Sequence, residues 1–453
     1  MTDSPTKPAC FKAYDIRGRV PEELDEDLVQ RIGLATAREL GTTDVVVGRD
    51  CRQSSQTLAT ALIRGLNAGG IDVLDIGMCG TEQVYFTTFS RRLGGGVMVT
   101  ASHNPIDYNG LKLVRADAVP ISGDSGLDQI GSQAVSPDLA PAARTGTCRK
   151  VDTLAEFVAF LLAQVQPASW QPLKIVVNAG NGCAGPVLDA LAPHLPCEFV
   201  RIHHDPDGTF PNGIPNPLLP ENREDTAQAV REHGADLGLA WDGDFDRCFF
   251  FDERGEFIEG YYLVGLLAKA SLRQEAGAKI VHDPRLTWNT IEVVERAGGI
   301  PVMNKTGHAF MKERMRKENA VYGGEMSAHH YFKPFAFCDS GMLPWLFVVQ
   351  EMSRSGRALS ELVGRMQQAY PASGEINRRL ADPDAAIARV ADHFAPEAVS
   401  INHIDGVSLE MPRWRFNLRK SNTEPVVRLN VESRGDRDLM QQCTEQILAM
   451  LDG

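Results

Sequence analysis

Three carboxylates alternate over five residues in WDGDFDR, residues 241–247. An extended backbone would splay Asp242, Asp244 and Asp246, whereas a turn lets all three converge on one cation. Convergent carboxylates repel one another and are costly unless a hard cation sits among them. Arg247 follows directly, a planar donor suited to phosphate. Solvated turn carboxylates are the alternative. An EF-hand loop fits poorly, because its sixth position wants glycine where Arg247 stands, and an apolar Cys-Phe-Phe-Phe run fills 248–251, although Glu253 falls at the twelfth. An aspartyl nucleophile of the D-x-D-x-[TV] kind would want Thr or Val in place of Asp246.

Other segments carry weaker signals. TASHNP (100–105) puts Ser102 and His103 in a loop after a β-rich run, where a serine is free to act as nucleophile or phosphate carrier, or simply to cap the next segment. GGEMSAHH (323–330) offers Glu325, Ser327 and His329 at every second residue, which an extended backbone places on one side. A carboxylate and a hydroxyl together suit vicinal sugar hydroxyls, and the imidazole suits proton transfer; a half-exposed strand edge is the rival. RKSNTEP (419–425) gathers Arg419, Lys420, Ser421, Asn422 and Thr423, donors that fit a phosphate monoester or a plain basic hairpin tip. FKAYDIRG with Arg17, NGLK with Lys112, and NKTGH with Lys305 and His308 add cations near other strand or loop ends.

The elements that must position these residues repeat three times. VVVGRD (45–50), a helix around Leu58, Leu62 and Leu66, and IDVLDIG (71–77) form the first copy. KIVVNAGNG (174–182), a helix around Leu188, Leu191 and Leu195, and CEFVRI (197–202) form the second. KIVHDPR (279–285), a helix around Ile291 and Val294, and IPVMNKTG (300–307) form the third. Strand, helix, strand in this order implies a right-handed crossover and a mostly parallel sheet. A further strand in each copy runs into TASHNP, WDGDFDR or GGEMSAHH, and in open α/β sheets ligands collect at such strand ends. The last quarter differs: WRFNLRKSNTEPVVRLNVES (414–433) reads as two strands around a polar loop, closed by a helix carrying Leu439, Cys443, Ile447 and Met450. The fold expected is α/β with four domains: 1–148, 149–253 and 254–369 alike, with mixed, mostly parallel sheets, and 370–453 a small α+β domain.

At 453 residues the chain exceeds what one core supports. A net charge of −13 argues against nucleic acid or an anionic membrane as partner, while a local Arg and Lys cluster still admits a small anion. Nine cysteines without C-x-x-C spacing suggest neither a disulfide framework nor a zinc site. The first residues lack the apolar stretch of a signal peptide, so a reducing, cytoplasmic compartment is expected.

YDIRG, TASHNP with NGLK, DGDFDR, GEMSAH and R-x-SNTEP follow one another in the order found in the α-D-phosphohexomutase superfamily, and the chain resembles that family over essentially its whole length. Within it, SHNPIDYNGLKLVR, DGDFDRCFFFDE and GGEMSAHHYF are similar to the bacterial phosphomannomutase and phosphomannomutase/phosphoglucomutase branch. The resemblance implies four domains around a central cleft and two phosphoryl transfers through a hexose 1,6-bisphosphate that turns around without leaving. By it, Ser102 is the phosphoserine and, with Asp242, Asp244 and Asp246, holds Mg²⁺. Glu325 and Ser327 grip the sugar's O3 and O4. Arg419, Ser421, Asn422 and Thr423 bind the phosphate that is not transferred, and Lys305, Gly307, His308 and Arg428 complete the substrate site. Arg17, Lys112, Arg247 and His329 serve catalysis, with Lys112 and His329 the candidates for proton transfer. Three carboxylates, a phosphoserine and Mg²⁺ sum to about −3, which the nearby cations must offset.

GEMSAH departs from the GEQSGH of phosphoglucosamine mutases, so the resemblance favours conversion of mannose 6-phosphate to mannose 1-phosphate, with glucose phosphates also accepted, feeding GDP-mannose synthesis. A monomer or weak dimer acting on small hexose phosphates is expected. The alternatives are phosphoglucomutase or phosphoglucosamine mutase as the main activity, a phosphatase or bisphosphate synthase using the same serine, an inactive sugar-phosphate-binding protein, or a structural Ca²⁺ binder.

Overall fold

The computed structural model describes residues 7–420 and 426–452. They fall into two compact units: Met1–Phe257 with Pro334–Arg354, and Ile258–Lys333 with Ser355–Gly453.

In the first unit, strands β1 (Ile16–Arg19), β2 (Asp44–Arg49), β3 (Asp72–Met78), β4 (Gly95–Val99), β5 (Tyr108–Arg115) and β6 (Cys148–Lys150) form one sheet in the order β1-β5-β4-β2-β3-β6. The β2–β3, β2–β4 and β3–β6 pairings are parallel, and β5 runs antiparallel to both β4 and β1. Val45, Val46, Val47, Val97, Met98 and Val99 are fully buried, as continuous β-branched runs covered on both faces should be. A second sheet contains β7 (Lys174–Asn178), β8 (Glu198–Ile202), β9 (Leu237–Trp241) and β10 (Cys248–Phe251) in the order β10-β9-β7-β8, with only β10 antiparallel among these pairings.

The helix Glu26–Leu40 shows how local sequence sets element ends. Asp25 accepts from Leu28 N at 2.7 Å, Glu26 and Asp27 occupy the positive N-terminal turn, and Gly41 closes the helix. Residues 334–354 join this unit through Glu82, a buried carboxylate that accepts from Ser340 Oγ and, at 3.2 and 3.1 Å, from the N–H groups of Gly341 and Met342 that begin the helix Met342–Ser355.

In the second unit, β11 (Lys279–His282), β12 (Ile300–Met303), β13 (Tyr322–Gly324) and β14 (His330–Phe332) stand in the order β12-β11-β13-β14. The first three are parallel and β14 is antiparallel. The expected repeat is therefore present in pairing detail: β5-β4-β2-β3, β10-β9-β7-β8 and β14-β13-β11-β12 are one order, with an antiparallel strand returning after each polar loop. The remaining sheet is antiparallel throughout, β15 (Ile376–Arg379), β19 (Val426–Ser433), β18 (Trp414–Lys420), β17 (Val407–Glu410) and β16 (Ser400–Asn402) in that order. Helices Pro383–Phe394 and Arg437–Asp452 cover it, the latter through Met440, Cys443, Ile447 and Leu451, with Leu439 and Met450 half-buried beside them. The architecture is thus three mixed α/β domains and a small α+β domain. No disulfide joins any of the nine cysteines. Among the described residues no helix is long and apolar enough to cross a membrane.

Candidate active site

In the first unit, the loop between β4 and β5 meets the loop between β9 and β10. Ser102 sits in the first at φ 47°, a left-handed conformation that a non-glycine residue holds only when its surroundings impose it. Its N–H donates to Thr100 Oγ1 at 2.8 Å, and its hydroxyl donates to Asp242 Oδ2 at 2.6 Å and lies 3.0 Å from His103 Nδ1. Gly243 lets the loops approach: a Cβ there would stand 2.6 Å from the Ser102 carbonyl oxygen. In the second loop, Phe245 N–H donates to the Asp242 carbonyl at 3.1 Å, the turn that folds the three aspartates inward. One carboxylate oxygen from each of Asp242, Asp244 and Asp246 lies within 4.8 Å of the others, all three side chains being buried. Thr81 fastens Asp244, its Oγ1 donating to Oδ2 at 2.6 Å and its N–H to the backbone carbonyl at 3.1 Å.

Cations line the same place. Lys112, on β5, donates to Asp244 Oδ2 at 2.7 Å and Asp246 Oδ2 at 2.6 Å. Arg247 donates to Asp242 Oδ2 through Nε and Nη2 at 3.0 and 2.8 Å and contacts His103 Nδ1. Arg17, on β1, donates to Asp15 Oδ2 at 2.9 Å and to Asn104 Oδ1 of the serine loop at 3.0 Å.

The electrostatics show an acidic group built around positive charge. Burial opposes ionisation of Asp242, but the Arg247 guanidinium outweighs it and holds this carboxyl well below the usual range. Asp246 goes the other way: burial, then the Asp244 charge, push it up to about 8. The three titrate as a group, and three like charges at this spacing are not satisfied by Lys112 and Arg247 alone. Burial would lower Lys112, yet the charges of Asp244 and Asp246 raise it, so its ammonium keeps its proton. His103 is pushed down to about 4 by burial and by Arg247, which leaves its ring neutral. Asp244 Oδ1 is buried without a hydrogen-bond partner among the described residues. An orphaned carboxylate oxygen beside two further carboxylates and a hydroxyl is the donor set of a hard divalent cation, and these residues fit one.

The second unit gathers the other candidates. Glu325, Ser327 and His329 converge, but not along an extended strand as their spacing suggested: Ala328 N–H donates to the Glu325 carbonyl at 3.1 Å and Glu325 N–H to the His329 carbonyl at 2.9 Å, a tight turn with Ala328 at φ 69°. Glu325 accepts from Gly307 N at 2.9 Å and Tyr331 OH at 2.5 Å. Burial pushes its carboxyl up. Gly307, at φ 121°, occupies a conformation open chiefly to glycine and opens the helix His308–Glu318. His329 Nδ1 lies 3.4 Å from Ser327 Oγ and 3.9 Å from Glu325 Oε2. Lys305 is exposed, its ammonium 3.4 Å from the Phe310 ring centroid.

Arg419, at the end of β18, and Arg428, on β19, share the Glu375 carboxylate at 3.1 and 3.2 Å. Arg285 reaches the same carboxylate at 3.3 Å, Asp283 at 2.7 Å and Ser327 Oγ at 3.3 Å. Arg285 also faces Glu325 Oε1 at 4.0 Å, and Nε of each of the three arginines is buried without a partner among the described residues. Ser421, Asn422 and Thr423 lie outside the described residues. Sequence reasoning missed Thr81, Arg285 and Glu375. Only Arg285 left a usable signal, the Asp-x-Arg that ends the first strand of its repeat.

Known proteins resemble the chain along its whole length. The chain matches phosphoglucomutase/phosphomannomutase alpha/beta/alpha domain I over residues 8–137, domain II over 152–255, domain III over 259–370 and the C-terminal domain over 375–450. A phosphomannomutase of Salmonella montevideo is 60% identical over 450 residues, covering 98% of this chain and 99% of its own. A protein of the phosphohexose mutase kind from Xanthomonas campestris pv. campestris is 59% identical over 448 residues, covering 99% and 100%. The crystal structure of a phosphoglucomutase/phosphomannomutase family protein from Burkholderia thailandensis superposes with a TM-score of 0.88 at 33% identity, over 99% of this chain and 98% of that one. With all four domains matched in order along the whole chain, the protein belongs to the phosphoglucomutase/phosphomannomutase family and is a phosphohexomutase, an isomerase that moves phosphate within its substrate.

Proposed function

We propose that this enzyme interconverts mannose 6-phosphate and mannose 1-phosphate, and accepts glucose phosphates as well, through a phosphorylated Ser102 and a hexose 1,6-bisphosphate. The observation that carries the proposal is the Ser102 hydroxyl 2.6 Å from Asp242, in a buried group of three aspartates. A pure binding site needs no such hydroxyl on such a group. Asp242, Asp244, Asp246 and the Ser102 phosphate would hold Mg²⁺, which when bound withdraws charge from the phosphoryl oxygens.

The chain's own groups do the rest. Arg247, Arg17 and the protonated Lys112 offset the negative charge that a dianionic substrate would otherwise meet. Lys112 keeps its proton, which suits a donor, and His329, beside Glu325 and Ser327, is the other group suited to proton transfer. Glu325 and Ser327 would take the sugar's O3 and O4. Arg419, Arg428 and the segment with Ser421, Asn422 and Thr423 would take the phosphate that is not moving, while Lys305, Gly307 and His308 complete the substrate site. Charge-assisted bonds to that remote phosphate supply the binding energy that orients the reacting end. A site that grips O3 and O4 reads little at C2, where mannose and glucose differ. Preference for mannose is supported by the phosphomannomutase relative at 60% identity.

Ser102 itself is tested by mass spectrometry of the peptide that contains it after incubation with mannose 1,6-bisphosphate and Mg²⁺. A phosphate on Ser102 that mannose 6-phosphate then removes supports the reading; a peptide that stays unmodified in active enzyme contradicts it.

A further inference from the structure

The first strand of each repeat ends in the same turn. Arg52 N–H donates to Asp50 Oδ1 at 3.0 Å, Gly180 N–H to Asn178 Oδ1 at 2.9 Å, and Arg285 N–H to Asp283 Oδ1 at 2.9 Å. Each is a turn closed by an Asp or Asn side chain two residues before the donor. The second copy has glycine at the third position, where a Cβ would come within 2.3 Å of Pro215. The first and third copies have arginine there, and the two arginines reach corresponding places. Arg285 reaches Ser327 in the loop after the last parallel strand of its copy. Arg52 reaches the corresponding loop of the first copy, the one that carries Ser102.

Its grip there is extensive. Arg52 is 3% exposed. Nη1 donates to the carbonyls of Pro105 and Tyr108 at 2.8 and 3.1 Å, and Nη2 to those of Ser102 and Asn104 at 3.0 and 2.6 Å. The Phe210 ring centroid lies 5.3 Å from its guanidinium carbon, and its backbone bridges to Gly208, so Arg52 is itself held from the second repeat. A rigid, planar fork on four carbonyls spanning residues 102 to 108 braces the loop in which Ser102 holds its left-handed conformation.

We propose that Arg52 is a positioning residue for phosphoryl transfer, fixing the loop so that Ser102 Oγ stays on the acidic group during both transfers. The inference rests on the reading of Ser102 as the phosphoryl carrier. Loosening the loop misplaces the phosphoserine and admits water to it. Water's oxygen then bonds phosphorus as the Ser102 Oγ–P bond breaks, which yields inorganic phosphate and the free hydroxyl in place of a sugar phosphate.

The test uses full-length Arg52→Lys and Arg52→Gln with Mg²⁺, mannose 1-phosphate and a trace of mannose 1,6-bisphosphate. Turnover, KM, inorganic phosphate per turnover, phosphorylation of Ser102 and melting temperature are read together. The expected result is a kcat lowered by about ten- to a hundredfold, KM little changed, more inorganic phosphate released per turnover, and Ser102 still phosphorylated. Lysine keeps the charge but not the fork, so Arg52→Lys carries the test if Arg52→Gln fails to fold. Folded variants with wild-type kcat and phosphate release would overturn the role of Arg52, as would a kcat that falls only in step with melting temperature. A wild type that turns over without phosphate ever appearing on Ser102 would instead overturn the carrier reading.

Discussion

Ser102 Oγ donates to Asp242 Oδ2 at 2.6 Å although 140 positions separate the two residues in the chain. Each lies just past the last parallel strand of its own repeat, β4 for the serine and β9 for the aspartate. Two copies of one supersecondary unit thus supply the serine hydroxyl and the three carboxylates from equivalent loops. That arrangement makes the site sensitive to single changes in either loop.

Replacement of the serine proposed as carrier is the bluntest such change. Ser102→Ala should lower mutase turnover by at least about a thousandfold, while the second unit's residues still bind hexose phosphate. Steady-state kinetics with a binding titration checks both; near-normal turnover would place the carrier elsewhere.

Asp244→Asn removes a charge from the group while keeping its shape. Since Asp244 holds both the partnerless oxygen and the bond to Lys112, the Mg²⁺ concentration for half-maximal activity should rise by about tenfold or more, together with a fall in kcat. An unchanged Mg²⁺ titration would remove Asp244 from the metal site.

Lys112→Met tests the counter-charge. Lys112 is 7% exposed and bonds both Asp244 and Asp246. Removing one partner from a buried ion pair costs about 3–5 kcal/mol. Without divalent cation the variant should unfold at markedly lower denaturant, and Mg²⁺ should stabilise it more than it stabilises the wild type. Equal stabilisation of the two by Mg²⁺ would show that Lys112 and the cation do not offset the same charges.

These predictions rest on residues of unequal legibility. The strands at 45–49, 174–178 and 279–282 announce themselves by short β-branched runs between turn residues, and the three polar loops follow from them. The antiparallel strand that returns after each loop is harder to see. Cys248–Phe251 is buried on both faces and so shows no alternation. Glu325, Ser327 and His329 are legible as a set but their geometry is not, because a two-residue period does not distinguish an extended run from the turn that Ala328 makes at positive φ. Thr81 and Glu375 act only through residues far along the chain, and nothing local marks them.

Glu375 gives the pH dependence. Burial opposes its ionisation, but Arg285, Arg419 and Arg428 outweigh that and lower its pKa from the ordinary 4.5. A carboxyl whose folded pKa is depressed contributes its full stability above the unfolded value and loses it as pH falls through the folded one. Glu375→Gln should therefore melt roughly a few degrees below wild type at neutral pH, with the gap closing progressively below about pH 4.5. The same variant should gain more than wild type from added phosphate, since three guanidiniums then lack their shared carboxylate. A gap that stays constant with pH would contradict the charge pairing.

Movement of phosphate within mannose phosphate through Ser102 has a distinct signature. ³¹P NMR of the purified protein with Mg²⁺, mannose 1-phosphate and a trace of mannose 1,6-bisphosphate reads it out. A mannose 6-phosphate signal should grow at constant total ester phosphate, and Ser102→Ala should abolish it. Release of inorganic phosphate in place of the 6-phosphate, or no change in the spectrum, would contradict it.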